Sequence, residues 1–178
     1  MLGNIWLSQA AKYLRRVWAQ IQAEIPGLPS IEWYGDPKSV GRVVRQVGSV
    51  EPEIVPKGFV DDPTLYDILS DSDLAIIAFN LSDKLEHDYA RYSLPSRLTE
   101  LAACGVPIFC IASPATPLAR YICDTQIGVV ASAEDERQLT STLKTLLHSV
   151  ETRANLSFRA RAHAEEGVRF IGVSKEPV

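Results

Sequence analysis

The sequence predicts an α/β domain, a Rossmann-like parallel sheet of about six strands with helices on both faces. Three observations predict it. Strand-like and helix-like segments alternate about six times with short connections, as right-handed βα units require. Residues 74–79, Leu-Ala-Ile-Ile-Ala-Phe, form a continuous apolar run of strand length, the pattern of a parallel strand buried on both faces. A chain of 178 residues with 46% apolar and 22% charged side chains has enough material for one full core and the composition of a globular domain. A single domain over 1–178 is expected, with 151–178 as a C-terminal helix and tail.

Residues 3–6 are short but precede a strongly periodic segment, which suits a first strand. In that segment Leu7, Ala11, Leu14, Trp18, Ile21 and Ile25 recur at steps of four and three, an amphipathic helix stopped by Pro26 and Gly27. Residues 30–34 read as a strand ended by Gly35-Asp36-Pro37, and 39–47 as a helix despite Gly41. Residues 54–60 look like a strand interrupted by Pro56. Asp62 then caps a helix with Pro63 at its first position and Leu65, Ile68 and Leu69 inward. After the turn Asp71-Ser72-Asp73 comes the apolar strand, followed by a polar loop over 80–91. Residues 107–111 and 128–131 are further strands, 117–123 a helix between them. Leu139, Leu143, Leu146 and Leu147 give 134–150 a helical inner face, and 152–166 forms a last helix. Trp6, Trp18, Trp33 and Tyr34 are core or sheet-edge aromatics.

Several function classes lose support. The net charge is −4 with basic residues scattered rather than striped, which argues against nucleic acid as a partner. No apolar run approaches the roughly 18 residues of a membrane span and no basic-then-apolar leader opens the chain, so a soluble cytoplasmic protein is expected. Cys104, Cys110 and Cys123 lack metal-ligand spacing and adjoin apolar elements, as buried thiols would. His87, His148 and His163 have no ligand-spaced partners, and Asp61, Asp62, Asp71 and Asp73 suit caps and turns better than a metal. No metal or cofactor is expected. The P-loop, Gly-x-Gly-x-x-Gly and Gly-x-Ser-x-Gly patterns are all absent.

The most informative stretch is 92–108. Ser93 or Ser96 suits a helix cap, Pro95 fits only a first turn, Leu94, Leu98, Leu101 and Ala102 fall on one face, and Gly105 ends the helix. Such a helix end offers amide N–H groups and partial positive charge to a phosphate. Glu100 follows at roughly 5–6 Å of helical rise, where a carboxylate can accept sugar hydroxyls. The pair suits a nucleoside diphosphate. In a parallel sheet the ligand sits beyond the carboxyl ends of the strands, which points to Gly35, Phe59, Phe79, Asn80 and the loop leading to Pro95.

Taken in order, Tyr34-Gly35, Gly58-Phe59-Val60, the 72–77 segment, Leu94-Pro95-Ser96-Arg97-Leu98-Thr99-Glu100 with its Gly105-Val106-Pro107 ending, and Gly128-Val129-Val130 resemble the C-terminal, donor-binding domain of GT-B glycosyltransferases, especially retaining family 4. The resemblance covers roughly 3–150 and implies one half of a GT-B fold. It implies that Glu100, matching the second glutamate of the family's Glu-x7-Glu motif, holds the donor ribose. By the same token Leu94, Pro95, Ser96 and Arg97 receive the diphosphate, Arg97 standing where many relatives have lysine. Gly58, Phe59 and Val60 border the nucleobase. The first glutamate of the motif, which contacts the transferred sugar in the family, is replaced by Tyr92. The family's acceptor domain is missing from this chain, so the expected activity, glycosyl transfer, needs that domain or a partner chain, and the chain alone is expected to be inactive. The rivals are a non-catalytic nucleotide-binding or scaffolding module derived from a transferase, and half of a nucleotide-sugar epimerase.

Overall fold

The structure, a computed structural model, describes residues 8–47, 52–78, 94–132 and 134–170. Its elements run α1 (Ser8–Glu24), β1 (Ile31–Tyr34), α2 (Pro37–Val47), β2 (Ile54–Gly58), α3 (Asp62–Ser70), β3 (Ala75–Ala78), α4 (Arg97–Cys104), β4 (Ile108–Ile111), α5 (Pro117–Thr125), β5 (Gly128–Ala131), α6 (Glu136–His148) and α7 (Val150–Phe170). The alternation expected from the sequence is therefore present. Among the described residues there are five strands, all pairing in parallel, in two hydrogen-bonded groups ordered β1-β2 and β3-β4-β5. The sixth strand expected at 3–6 lies outside the described residues.

Side-chain alternation along the strands builds a core on each face. Phe109 and Ile111 of β4 point with Ile76 of β3 into one core, where α1 (Leu14, Trp18, Ile21), α2 (Val40, Val44) and α6 (Leu139, Leu143, Leu146) pack. Ile108 and Cys110, with Ala75 and Ile77, point into the other, covered by α3, α4, α5 and Ala160 of α7. All four β4 residues are buried, the consequence of being the middle strand with helices on both sides. Ile31, Trp33 and Ile54 of the β1-β2 pair belong to the first core, so both strand groups contribute to it. Trp33 is completely buried, so it is a core residue.

Helix boundaries differ from the sequence expectation where capping chemistry decides them. The cap of α3 is Asp61, not Asp62: its carboxylate accepts the Thr64 N–H at 3.1 Å, and Pro63 follows in the first turn. Asp36 caps α2 by accepting the Lys38 and Ser39 amides at 3.3 Å, so that helix opens at Pro37 rather than at residue 39. Asp135 caps α6 from the Gln138 N–H at 2.9 Å. Cys110 is buried, but Cys104 is only half-buried and Cys123 is exposed, because Cys123 lies on the outward side of α5. Burial pushes the Cys110 thiol strongly up, which keeps it protonated and inert.

The β4-β5 pairing leaves no room beside Gly128. A Cβ added there would lie 2.4 Å from the Ile108 carbonyl oxygen and 2.8 Å from its Cβ, contacts that only a backbone shift relieves. Gly128→Ala is expected to lower stability by roughly 1–3 kcal/mol in urea unfolding, the usual range for overpacking. Gly41→Ala in α2, where the nearest atom to the new Cβ is Arg45 Nη1 at 3.9 Å, should instead stabilise by about 0.5–1 kcal/mol.

Candidate functional site

α4 is a short helix fixed at its C-terminus and, among the described residues, without a side-chain cap at its N-terminus. At its C-terminus Gly105 adopts the left-handed conformation (φ 68°), its N–H donates to Ala102 O at 2.9 Å, and the Val106 N–H reaches Leu101 O at 3.0 Å. Leu98, Leu101 and Ala102 are buried. Arg161 of α7 lies against Gly105 and donates to Cys104 O at 3.3 Å, which holds the last turn a second time.

The N-terminus is built differently. Ser96 has helical φ and ψ (−57°, −33°) and its side chain accepts no capping hydrogen bond; the Leu98 N–H goes to Pro95 O at 3.0 Å and the Thr99 hydroxyl to Ser96 O at 3.0 Å. The expectation that Ser96 caps this helix is thus corrected, because a residue already helical cannot aim its hydroxyl back at the first amides. Ser93 lies outside the described residues. By contrast Asp36, Asp61, Thr116, Asp135 and Ser149 each place a side-chain oxygen on the opening amides of α2, α3, α5, α6 and α7. Leu94 does not share the inner face of α4: it precedes the helix and is 49% exposed.

Around this end the structure collects several of the residues singled out from the sequence. Arg97 Nη1 donates to Glu100 Oε2 at 2.5 Å and lies 3.9 Å from Asp62 Oδ1 at the start of α3. The Glu100 contact above all holds the Arg97 guanidinium charged. The Gly35 N–H donates to Gly58 O at 2.9 Å, bringing the ends of β1 and β2 together. Gly58 (φ 82°) turns the chain out of β2, Phe59 stands 75% exposed, and Val60 packs on the edge of the second core. Gly35, Gly58, Phe59 and Val60 are thus linked through Asp61-Asp62 and Arg97 to the mouth of α4. Phe79 and Asn80 lie outside the described residues, as does Tyr92. Nothing in the local sequence pattern announces the Arg97–Asp62 approach, since it joins two separate helices.

Elsewhere, Tyr121 and His163 Nε2 meet at 2.5 Å and link α5 to α7, a contact the sequence reading missed. A shallow depression between α1 and α6 is lined by Gln20, Glu136, Arg137, Thr140, Ser141 and Lys144. Among the described residues no group of three or more His, Cys, Asp or Glu is placed to hold a metal, and no helix is long and apolar enough to cross a membrane.

No protein-family model and no curated protein sequence matches this chain. Solved structures do match in fold. The N-terminal domain of Candida albicans trehalose-6-phosphate phosphatase superposes with a TM-score of 0.60 at 12% identity, over 93% of this chain and 37% of that one. AviGT4, a glycosyltransferase of avilamycin A biosynthesis, gives 0.59 at 14% identity, over 95% and 48%. Anabaena HepE, solved with UDP and glucose, gives 0.55 at 12% identity, over 97% and 48%. The chain spans less than half the length of these structures, and it has the Rossmann-like fold of one half of a GT-B glycosyltransferase.

One proton at the sheet edge is readily followed. The Tyr34 hydroxyl, next to Gly35, donates to Glu32 Oε2 at 2.5 Å. Burial and then the Glu32 carboxylate push the Tyr34 phenol up to about 12. With the folded value raised, its contribution to stability is complete below the unfolded value of about 10 and is lost as pH rises through 12. Ultraviolet titration of tyrosinate should show a late-ionising phenol that Tyr34→Phe removes and Glu32→Gln moves part of the way back toward 10.

Proposed function

We propose that this chain is the donor-binding half of a nucleotide-sugar-dependent glycosyltransferase. The observation that carries the reading is the mouth of α4, a helix N-terminus without a side-chain cap from Ser96, with a carboxylate one turn inside it, in a fold shared with GT-B enzymes. Leu94, Pro95, Ser96 and Arg97 would receive the diphosphate, whose negative charge the amide ends and the guanidinium favour. Glu100 would accept the ribose hydroxyls and set the donor's position. Gly58, Phe59 and Val60 would border the base, and the exposed Phe59 ring offers it an apolar face. Gly35 would form part of the cleft edge.

In the transfer step the acceptor's nucleophilic atom bonds to the sugar's anomeric carbon as the bond from that carbon to the diphosphate oxygen breaks; the electron pair leaves with the diphosphate, which takes up the proton the acceptor gives up. Groups already aimed at that oxygen cluster lower the barrier without reorganising, and no metal or cofactor is needed in this scheme. The acceptor would come to the open side of the cleft on a second domain or a partner chain, and without it this chain would bind donor but transfer nothing.

A second reading is a non-catalytic nucleotide-binding or scaffolding module. Tyr92, in place of the sugar-contacting glutamate, favours it. Calorimetric titration with UDP, GDP and their sugar conjugates separates a donor site from a scaffold that binds no nucleotide. Micromolar binding of one diphosphate, weakened roughly 10- to 100-fold in Glu100→Ala by loss of charged hydrogen bonds, is expected. Absence of binding by every diphosphate tested would favour the scaffold.

A further inference from the structure

We infer that Arg97 guards Glu100, competing with ribose for the carboxylate until a phosphate takes the guanidinium away. The inference rests on the donor-site reading and adds a selection rule to it. Arg97 Nη1 sits on Glu100 Oε2 at 2.5 Å, so one of the two oxygens of the carboxylate proposed to accept ribose hydroxyls is already paired in the unliganded chain. The same guanidinium lies 3.9 Å from Asp62 Oδ1. Both side chains of the pair are accessible, Arg97 at 36% and Glu100 at 29%, so the contact is a solvent-facing one that a stronger anion displaces cheaply.

A diphosphate is that anion. It carries more charge than a carboxylate, accepts a planar guanidinium through two oxygens, and arrives at the positive end of α4 where Arg97 is the first helical residue. Moving Arg97 onto it forms one charge-assisted contact and frees Glu100. A ligand with ribose but no phosphate gains no such help and must compete with Arg97 for Glu100. The two halves of the ligand are therefore coupled through one side chain, and the site discriminates against free nucleosides by more than the lost phosphate contacts alone.

Removing the guanidinium should move the two ligands in opposite directions. With NMR titrations of the full chain, Arg97→Met is expected to weaken UDP or GDP by about tenfold or more, through loss of a charge-assisted contact. The same variant should bind uridine or guanosine about two- to fivefold more tightly, the worth of an exposed ion pair no longer in the way. Arg97→Gln, which removes the charge but keeps a shorter polar side chain, should behave alike, and circular dichroism checks that both variants are folded. If wild type binds the diphosphate but both variants hold the nucleoside no better than wild type, the guard is overturned while the donor site stands. If wild type binds neither, the donor site itself falls, and the guard with it.

Discussion

The structure depends on a strand that can be solvated on neither face. Ile108, Phe109, Cys110 and Ile111 of β4 are buried completely, paired in parallel to β3 on one side and β5 on the other. Burial of each large apolar side chain contributes about 1.5–3 kcal/mol, which four consecutive residues collect from two separate cores. To do so the chain must lay helices on both sides, and a parallel pairing forces each return through a helix. Strands paired in parallel then end on the same side of their sheet. That shared side is a consequence of the burial, whatever binds there.

α4 shows how that constraint becomes local geometry. It ends three residues before Pro107, whose carbonyl already pairs with the Ala75 amide of β3. The Gly105 turn, the buried Leu98-Leu101-Ala102 face and Arg161 therefore fix its C-terminus to the sheet. A helix held that way has its other end fixed in direction too, although nothing from Ser96 closes it. The firmness of one end is what gives the open end a defined place.

Much of this was legible in the sequence, for physical reasons that also mark the boundary of legibility. The run at 74–79, the leucines of α6 and the glycine after Cys104 are local signals, read within one or two turns of chain, and each element they imply is present among the described residues apart from Phe79. Competition between neighbouring caps is harder to read: Asp61 and Asp62 are equally good chemically, and only the hydrogen bond from the Thr64 N–H to the Asp61 carboxylate decides between them. α7 was read too short because it lacks a clean apolar stripe; Leu156 touches one core while Ala160 and Ala164 serve the other. In the candidate site, the i,i+3 pairing of Arg97 with Glu100 is a spacing visible in the sequence, whereas Asp62 enters only through the packing of α3 beside α4.

The charge pattern at this edge breaks a local rule in an informative way. An arginine at the first position of a helix faces the positive end of the macrodipole and is unfavourable there by a few tenths of a kcal/mol. Glu100 from inside the same helix and Asp62 from the next offset that cost, so the cation is held by carboxylates and not by the helix. Natural sequences keep local conflicts of this kind mainly where a site needs them. A cation that its own helix end disfavours, kept in place by two accessible anions, passes readily to any stronger anion that reaches the same amides. The conflict and the proposed ligand chemistry thus have one origin: the helix end that is poorly matched to Arg97 is well matched to a phosphate that brings Arg97 with it.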